Sequence, residues 1–70
     1  MVQFETERLL TRQEVQEIFG IKKRFLELAA VSGGGPIMIK FGRSVRYRAS
    51  DIRLWIADHE VQSTSLETRP

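Results

Sequence analysis

Apolar residues recur at helical spacing in three stretches of this chain and alternate with polar ones in two. Val15, Ile18 and Phe19 form the first helical set, and their spacing puts them on one face. Just before them stands Leu10-Thr11-Arg12-Gln13-Glu14. Thr11 with Glu14 three residues on predicts a capping box, and Leu10 with Val15 predicts the hydrophobic staple around it. Gly20 ends this helix, and Ile21 reads as the buried residue of a tight turn. A second helix is predicted from Lys22 or Lys23, with Phe25, Leu26, Leu28, Ala29 and Ala30 as a broad apolar face. Ser32-Gly33-Gly34-Gly35-Pro36 stops it, since such clusters break helices.

The alternating runs are Ile37 to Phe41 and Val45 to Arg48, separated by Gly42-Arg43-Ser44. Two such runs around a short Gly-containing loop predict a β-hairpin. Directly opposed residues share a face, so the pattern offers a test of register. A loop of two residues opposes Lys40 to Val45 and Ile39 to Arg46, mixing polar with apolar. A loop of three opposes Phe41 to Val45, Ile39 to Tyr47 and Lys40 to Arg46. The second separates the faces cleanly and is the expected arrangement. It buries Ile39, Phe41, Val45 and Tyr47, and turns Lys40, Arg46 and Arg48 outward.

Ser50 is the expected cap of a third helix, with Asp51 favourable in its first turn. Ile52, Trp55 and Ile56 form its buried stripe, continued by His59, and Leu54 falls off it. The chain thus divides into an N-terminal arm at 1–8, one domain at 9–61 and a polar, aperiodic tail at 62–70. Two helices joined by a short Gly-containing turn are the helix-turn-helix signature. The expected fold is mainly α with a small β-hairpin: a winged helix-turn-helix in which the hairpin is the wing.

Charge sharpens this picture. Seven of the eleven basic residues lie between Lys22 and Arg48, a stretch with one acid, Glu27. The segments on either side are slightly acidic, so the overall charge of +2 conceals the division. Clustering of this kind is the footprint of a polyanion-binding surface. Lys22, Lys23 and Arg24 fall in the first turn of the second helix, where the helix dipole favours acids. Backbone N–H groups at that end suit a phosphate. Lys40 facing Arg46 in the expected hairpin adds a like-charge pair. Solvated basic side chains and edge-strand protection are the plainer readings of each cluster. A phosphate backbone relieves both at once.

In helix-turn-helix geometry the second helix enters the major groove with its N-terminal residues at base edges. Lys23, Arg24 and Glu27 are then the base-contact candidates, Glu27 as an acceptor from a cytosine amino group. Arg43 at the wing tip suits an adjacent minor groove. Arg12 and Gln13 suit phosphate.

Other chemistry finds little support. The chain has no Cys and one His, His59, so a protein-only metal site would need carboxylates. Glu14 and Glu17 lack the apolar surroundings that acid–base work requires. The glycine loop lacks the Lys-Ser/Thr ending of a phosphate-binding loop. No catalysis and no cofactor are expected. No apolar run approaches the ~18 residues of a membrane span, and nothing at the N-terminus reads as a signal peptide. The expected location is a bacterial cytoplasm, at the nucleoid when bound.

Leu9-Leu10-Thr11-Arg12-Gln13-Glu14-Val15, Phe19-Gly20-Ile21, Pro36, Gly42-Arg43-Ser44-Val45-Arg46-Tyr47 and Ser50-Asp51-Ile52-Arg53-Leu54-Trp55-Ile56 together resemble the phage excisionase family. That family includes AlpA-type prophage regulators, and it is similar to the MerR-type winged helix-turn-helix without the long dimerisation helix. The resemblance covers about residues 9–60. It implies a small DNA-binding protein of a mobile element. Excisionases bend DNA and steer an integrase toward excision, whereas AlpA-type relatives activate transcription. By position, Lys22 through Glu27 would be the recognition helix. Lys40 through Arg48 would be the wing, including Arg43, Ser44 and Arg46. Lys22 stands where many relatives have a capping Ser, which implies a weaker cap or one replaced by phosphate. The implied partners are double-stranded DNA, a tyrosine integrase and further copies of the chain on DNA. A protein-interaction module, such as an antitoxin or adaptor with a basic face, is the rival of another class.

Overall fold

The structure, a computed structural model, describes residues 8–61. The expected tail at 62–70, and all of the expected arm but Arg8, lie outside the described residues. Six elements follow in order: β1 (Leu9–Leu10), α1 (Arg12–Phe19), α2 (Lys23–Ser32), β2 (Ile39–Phe41), β3 (Ser44–Arg48) and α3 (Ala49–Asp58). The strands form an antiparallel sheet in the order β1-β3-β2. With the helix pair, this is a winged helix-turn-helix.

The first helix begins as its sequence predicts. Thr11 Oγ1 accepts from the Glu14 N–H at 3.1 Å, and Glu14 Oε1 accepts from the Thr11 N–H at 2.9 Å. Arg8 Nη2 adds an ion pair to the other Glu14 oxygen at 2.7 Å. Gly20 closes the helix at φ +78°, donating its N–H to the Gln16 carbonyl. A left-handed residue after a helix is the usual place for glycine.

The hairpin departs from expectation. Observed partners are Ile39 with Arg46, Lys40 with Val45 and Phe41 with Ser44, so only Gly42 and Arg43 make the turn. Gly42 stands first in it at φ +60°. Two-residue turns with positive φ at that position match the twist of the strands. The face of β3 is set from its other side, where Leu10 pairs with Tyr47 and both are buried. Val45 and Tyr47 therefore face the core, and Met38 joins them in place of Ile39. Phe41 is 58% exposed, not buried. The apolar pattern misled at the tip because the core does not extend that far. The like-charge pair of Lys40 and Arg46 is absent, and Ile39 lies beside Arg46 instead.

β1 was not anticipated, since two residues are too few to show an alternation. Nor does Ser50 cap α3. Arg48 ends β3 and is itself the N-cap of α3, without a side-chain cap bond. The strand passes straight into the helix, which leaves Ser50 inside the first turn. Ile52 is fully buried, but Trp55 is half-buried and Ile56 and His59 are exposed. The apolar faces of α1 and α2 are also narrower than expected. Val15, Leu26 and Ala29 are buried, whereas Ile18, Phe25 and Leu28 are exposed.

Trp55 serves as a tether rather than a core residue. Its indole N–H donates to the Gly34 carbonyl at 3.1 Å, and its ring packs on Phe25 of α2. His59 also packs on Trp55, with ring centres 4.3 Å apart and the planes tilted by 46°. Gly35 brings the glycine loop against α2. A Cβ there would lie 2.8 Å from the Ala29 Cβ.

Two predictions follow from these contacts. Gly35→Ala should destabilise the chain by about 1–3 kcal/mol, the usual range for overpacking, seen as a lowered urea midpoint. The Thr11 N–H first, and Arg8 second, hold the Glu14 carboxyl below its ordinary pKa. A lowered folded pKa adds stability that is present above the unfolded value and lost as pH falls through the folded one. Melting temperature should therefore drop on acidification below the ordinary carboxylate range, and less steeply in Glu14→Gln. Equal slopes in the two proteins would show that Glu14 carries none of the effect.

Candidate nucleic-acid interface

Three elements converge on one open cleft. The start of α1 contributes Thr11, Arg12 and Gln13; α2 contributes Lys23 and Glu27; the wing contributes Arg43, Ser44, Val45 and Arg46. Short connections produce the convergence. The capping box aims the first turn of α1, the Gly20 turn folds α2 back, and the Gly42 turn returns β3 to the same place. Seven of the residues predicted to contact DNA therefore share one surface: Arg12, Gln13, Lys23, Glu27, Arg43, Ser44 and Arg46.

Lys22, Arg24, Lys40 and Arg48 are not among the residues lining it. Lys22 is the exposed N-cap of α2. Arg24 lies 3.8 Å from Glu27, so the one acid of the basic segment is partly neutralised. Arg48 pairs with Asp51 at 3.4 Å. Lys40 stands opposite Val45 on the other side of the strand from Arg46. Among the described residues, no ion pair engages Arg12, Lys23, Arg43 or Arg46.

The helix end carrying the cations is partly capped from within. No acid occupies the first turn of α2. The Lys23 N–H, however, donates to Gln16 Oε1 of α1 at 2.7 Å. Lys22 thus has no capping side chain, and a glutamine from the preceding helix satisfies the Lys23 N–H, the donor just before those a capping serine would reach. Phosphate is not needed at this first donor. The arrangement still sets Lys23 and Arg24 against the helix dipole.

Two contributors escaped the sequence reading. Gln16 left no signal, since a lone polar residue on a helix points nowhere in particular. Tyr47 left one. A buried Tyr rather than Phe carries a hydroxyl that seeks a partner. Its Oη accepts from Arg12 Nε at 3.1 Å.

A family model described as a helix-turn-helix domain matches residues 9–60. The chain belongs to that family. No curated protein and no solved structure matches it significantly. Membership in the helix-turn-helix family supports DNA binding. It covers excisionase-like and AlpA-like chains alike and does not choose between them. Among the described residues, no group of acids and histidines is placed to hold a metal, and no helix is long and apolar enough to cross a membrane.

Gln16→Ala should cost about 0.5–2 kcal/mol, as loss of an N-cap does. Gln16→Glu, which keeps the acceptor and adds a favourable charge at the helix end, should cost nothing. Denaturant midpoints of the two variants check this, and equal losses would show that the bond is idle.

Proposed function

We propose that this chain binds double-stranded DNA as a small excision factor of a mobile element. The convergence of the α1 start, the α2 start and the wing on one cleft carries the reading. It gathers Arg12, Lys23, Arg43 and Arg46 where no acid but Glu27 stands. Lys23 and Glu27 would meet base edges in the major groove, the lysine as donor and the carboxylate as acceptor. Arg24 shares Glu27 with the base and orients it. Arg12, Gln13, Ser44 and Arg46 would hold phosphate, and Arg43 would enter the adjacent minor groove. Lys22, Lys40 and Arg48 flank this footprint and add long-range attraction.

The excision role rests on the resemblance and on size. One small module buries only about 600–1,000 Å² against DNA. Useful affinity then calls for several copies along the site, or for a partner such as an integrase. A bent DNA that brings those partners together is the output. No covalent chemistry is involved.

Binding should be strongly salt-dependent. About five to seven phosphate contacts give a slope of roughly −4.5 to −6.3 for log affinity against log salt. Arg43→Ala should weaken binding and leave stability within about 0.5 kcal/mol. A titration of random and target duplexes at several salt concentrations measures both. Absence of salt-sensitive binding would sink the reading in favour of a protein-interaction module.

A further inference from the structure

Tyr47 belongs to the core by its ring and to the interface by its hydroxyl. The residue is 1% exposed and packs in one cluster with Leu10, Val15, Leu26 and Ile52. A phenylalanine would fill that space equally well. The hydroxyl instead accepts from Arg12 Nε, 35 residues earlier in the chain. Arg12 is a cleft-lining cation without an ion pair among the described residues.

The choice of nitrogen matters. A guanidinium is planar, and its donors have a fixed fork geometry. A bond at Nε restrains the direction of the fork and leaves both terminal nitrogens out of it. Those two match a pair of phosphate oxygens in bidentate fashion. A side chain already ordered in the free protein also loses less freedom on binding. Because Tyr47 lies on β3 and Arg12 on α1, the same bond ties the wing to the helix pair.

We propose that Tyr47 is a positioning residue of the DNA interface. It holds the Arg12 guanidinium so that its terminal nitrogens face a phosphate. The inference rests on the DNA-binding reading above and adds a residue that touches no DNA itself.

The test is a mutant cycle on the full chain, read by fluorescence titration of a labelled random-sequence duplex, with circular dichroism checking the fold. Tyr47→Phe should raise Kd about three- to tenfold, the scale of one hydrogen bond. It should leave the salt slope at the parent value, since no charge is removed. Arg12→Ala should raise Kd further and lower the slope by about 0.9. In the Arg12→Ala background, Tyr47→Phe should change Kd by less than about twofold, because coupled residues are not additive. Arg12→Lys keeps the charge without the fork and should match Tyr47→Phe, whatever the phenylalanine does to stability.

An equal effect of Tyr47→Phe in both backgrounds would make the hydroxyl structural and overturn the proposal. So would an Arg12→Lys variant that binds like the parent. Loss of all salt-sensitive binding in the unmodified chain is a different failure, because it removes the DNA reading and the proposal together.

Discussion

Leu10, Val15, Leu26, Tyr47 and Ile52 meet in a single cluster, and each comes from a different element. Every other feature depends on this meeting. A domain of this size buries a smaller fraction of its surface than a larger one and is correspondingly marginal. It holds at most two buried side chains per element, and none on β2, rather than a layered core. Each anchor therefore sets an orientation as well as a stability. Tyr47 fixes which face of β3 looks inward, and that choice places Arg46 and Ser44 on the other face. Leu26 fixes the roll of α2 and so decides that Lys23 and Glu27 reach the cleft.

The elements of the fold were legible wherever local chemistry was strong. Thr11 and Glu14 announced α1, Gly20 its end, and the Ser32 to Pro36 run the end of α2. Of the seven cations in the basic segment, Lys23, Arg43 and Arg46 line the cleft, where Arg12 of α1 joins them. What escaped was decided by geometry rather than by pattern. The register of the wing was decided by the two-residue turn of Gly42 and Arg43, which opposes Ile39 to Arg46 and puts Met38 rather than Ile39 on the core side. Alternation within the hairpin could not report that. Ser50 looked like a cap, but β3 runs into α3 without a break and leaves it no capping position. Ile18, Leu28 and Ile56 have core-like character and helical spacing. With so small a core, there is nothing for them to pack under.

Of the two charge conflicts expected from the sequence, one dissolves and one persists. The corrected register removes the pairing of Lys40 with Arg46, so no two like charges stand directly opposite each other in the wing. The start of α2 keeps its cations against the dipole, and Gln16 satisfies only the first donor there. Of the cations behind the conflict that remains, Lys23 lines the cleft. Residues that disagree with folding preferences are expected where function sets the choice. Glu27 gains a second meaning as well. It lies 3.8 Å from Arg24, so its charge is partly offset within α2 itself.

The turn of Gly42 and Arg43 constrains how proteins built on this plan can diversify. A wing tip is the natural place for insertions, since it is exposed and far from the core. Here, however, β3 is clamped on its other edge by β1, and side chains alternate strictly along a strand. One added residue in a strand arm would turn Val45 or its partner strand inside out. Lineages should therefore lengthen this wing in steps of two residues, or else absorb an odd residue as a bulge. Wing length across such chains would then carry a parity, set by which side of β3 packs inward.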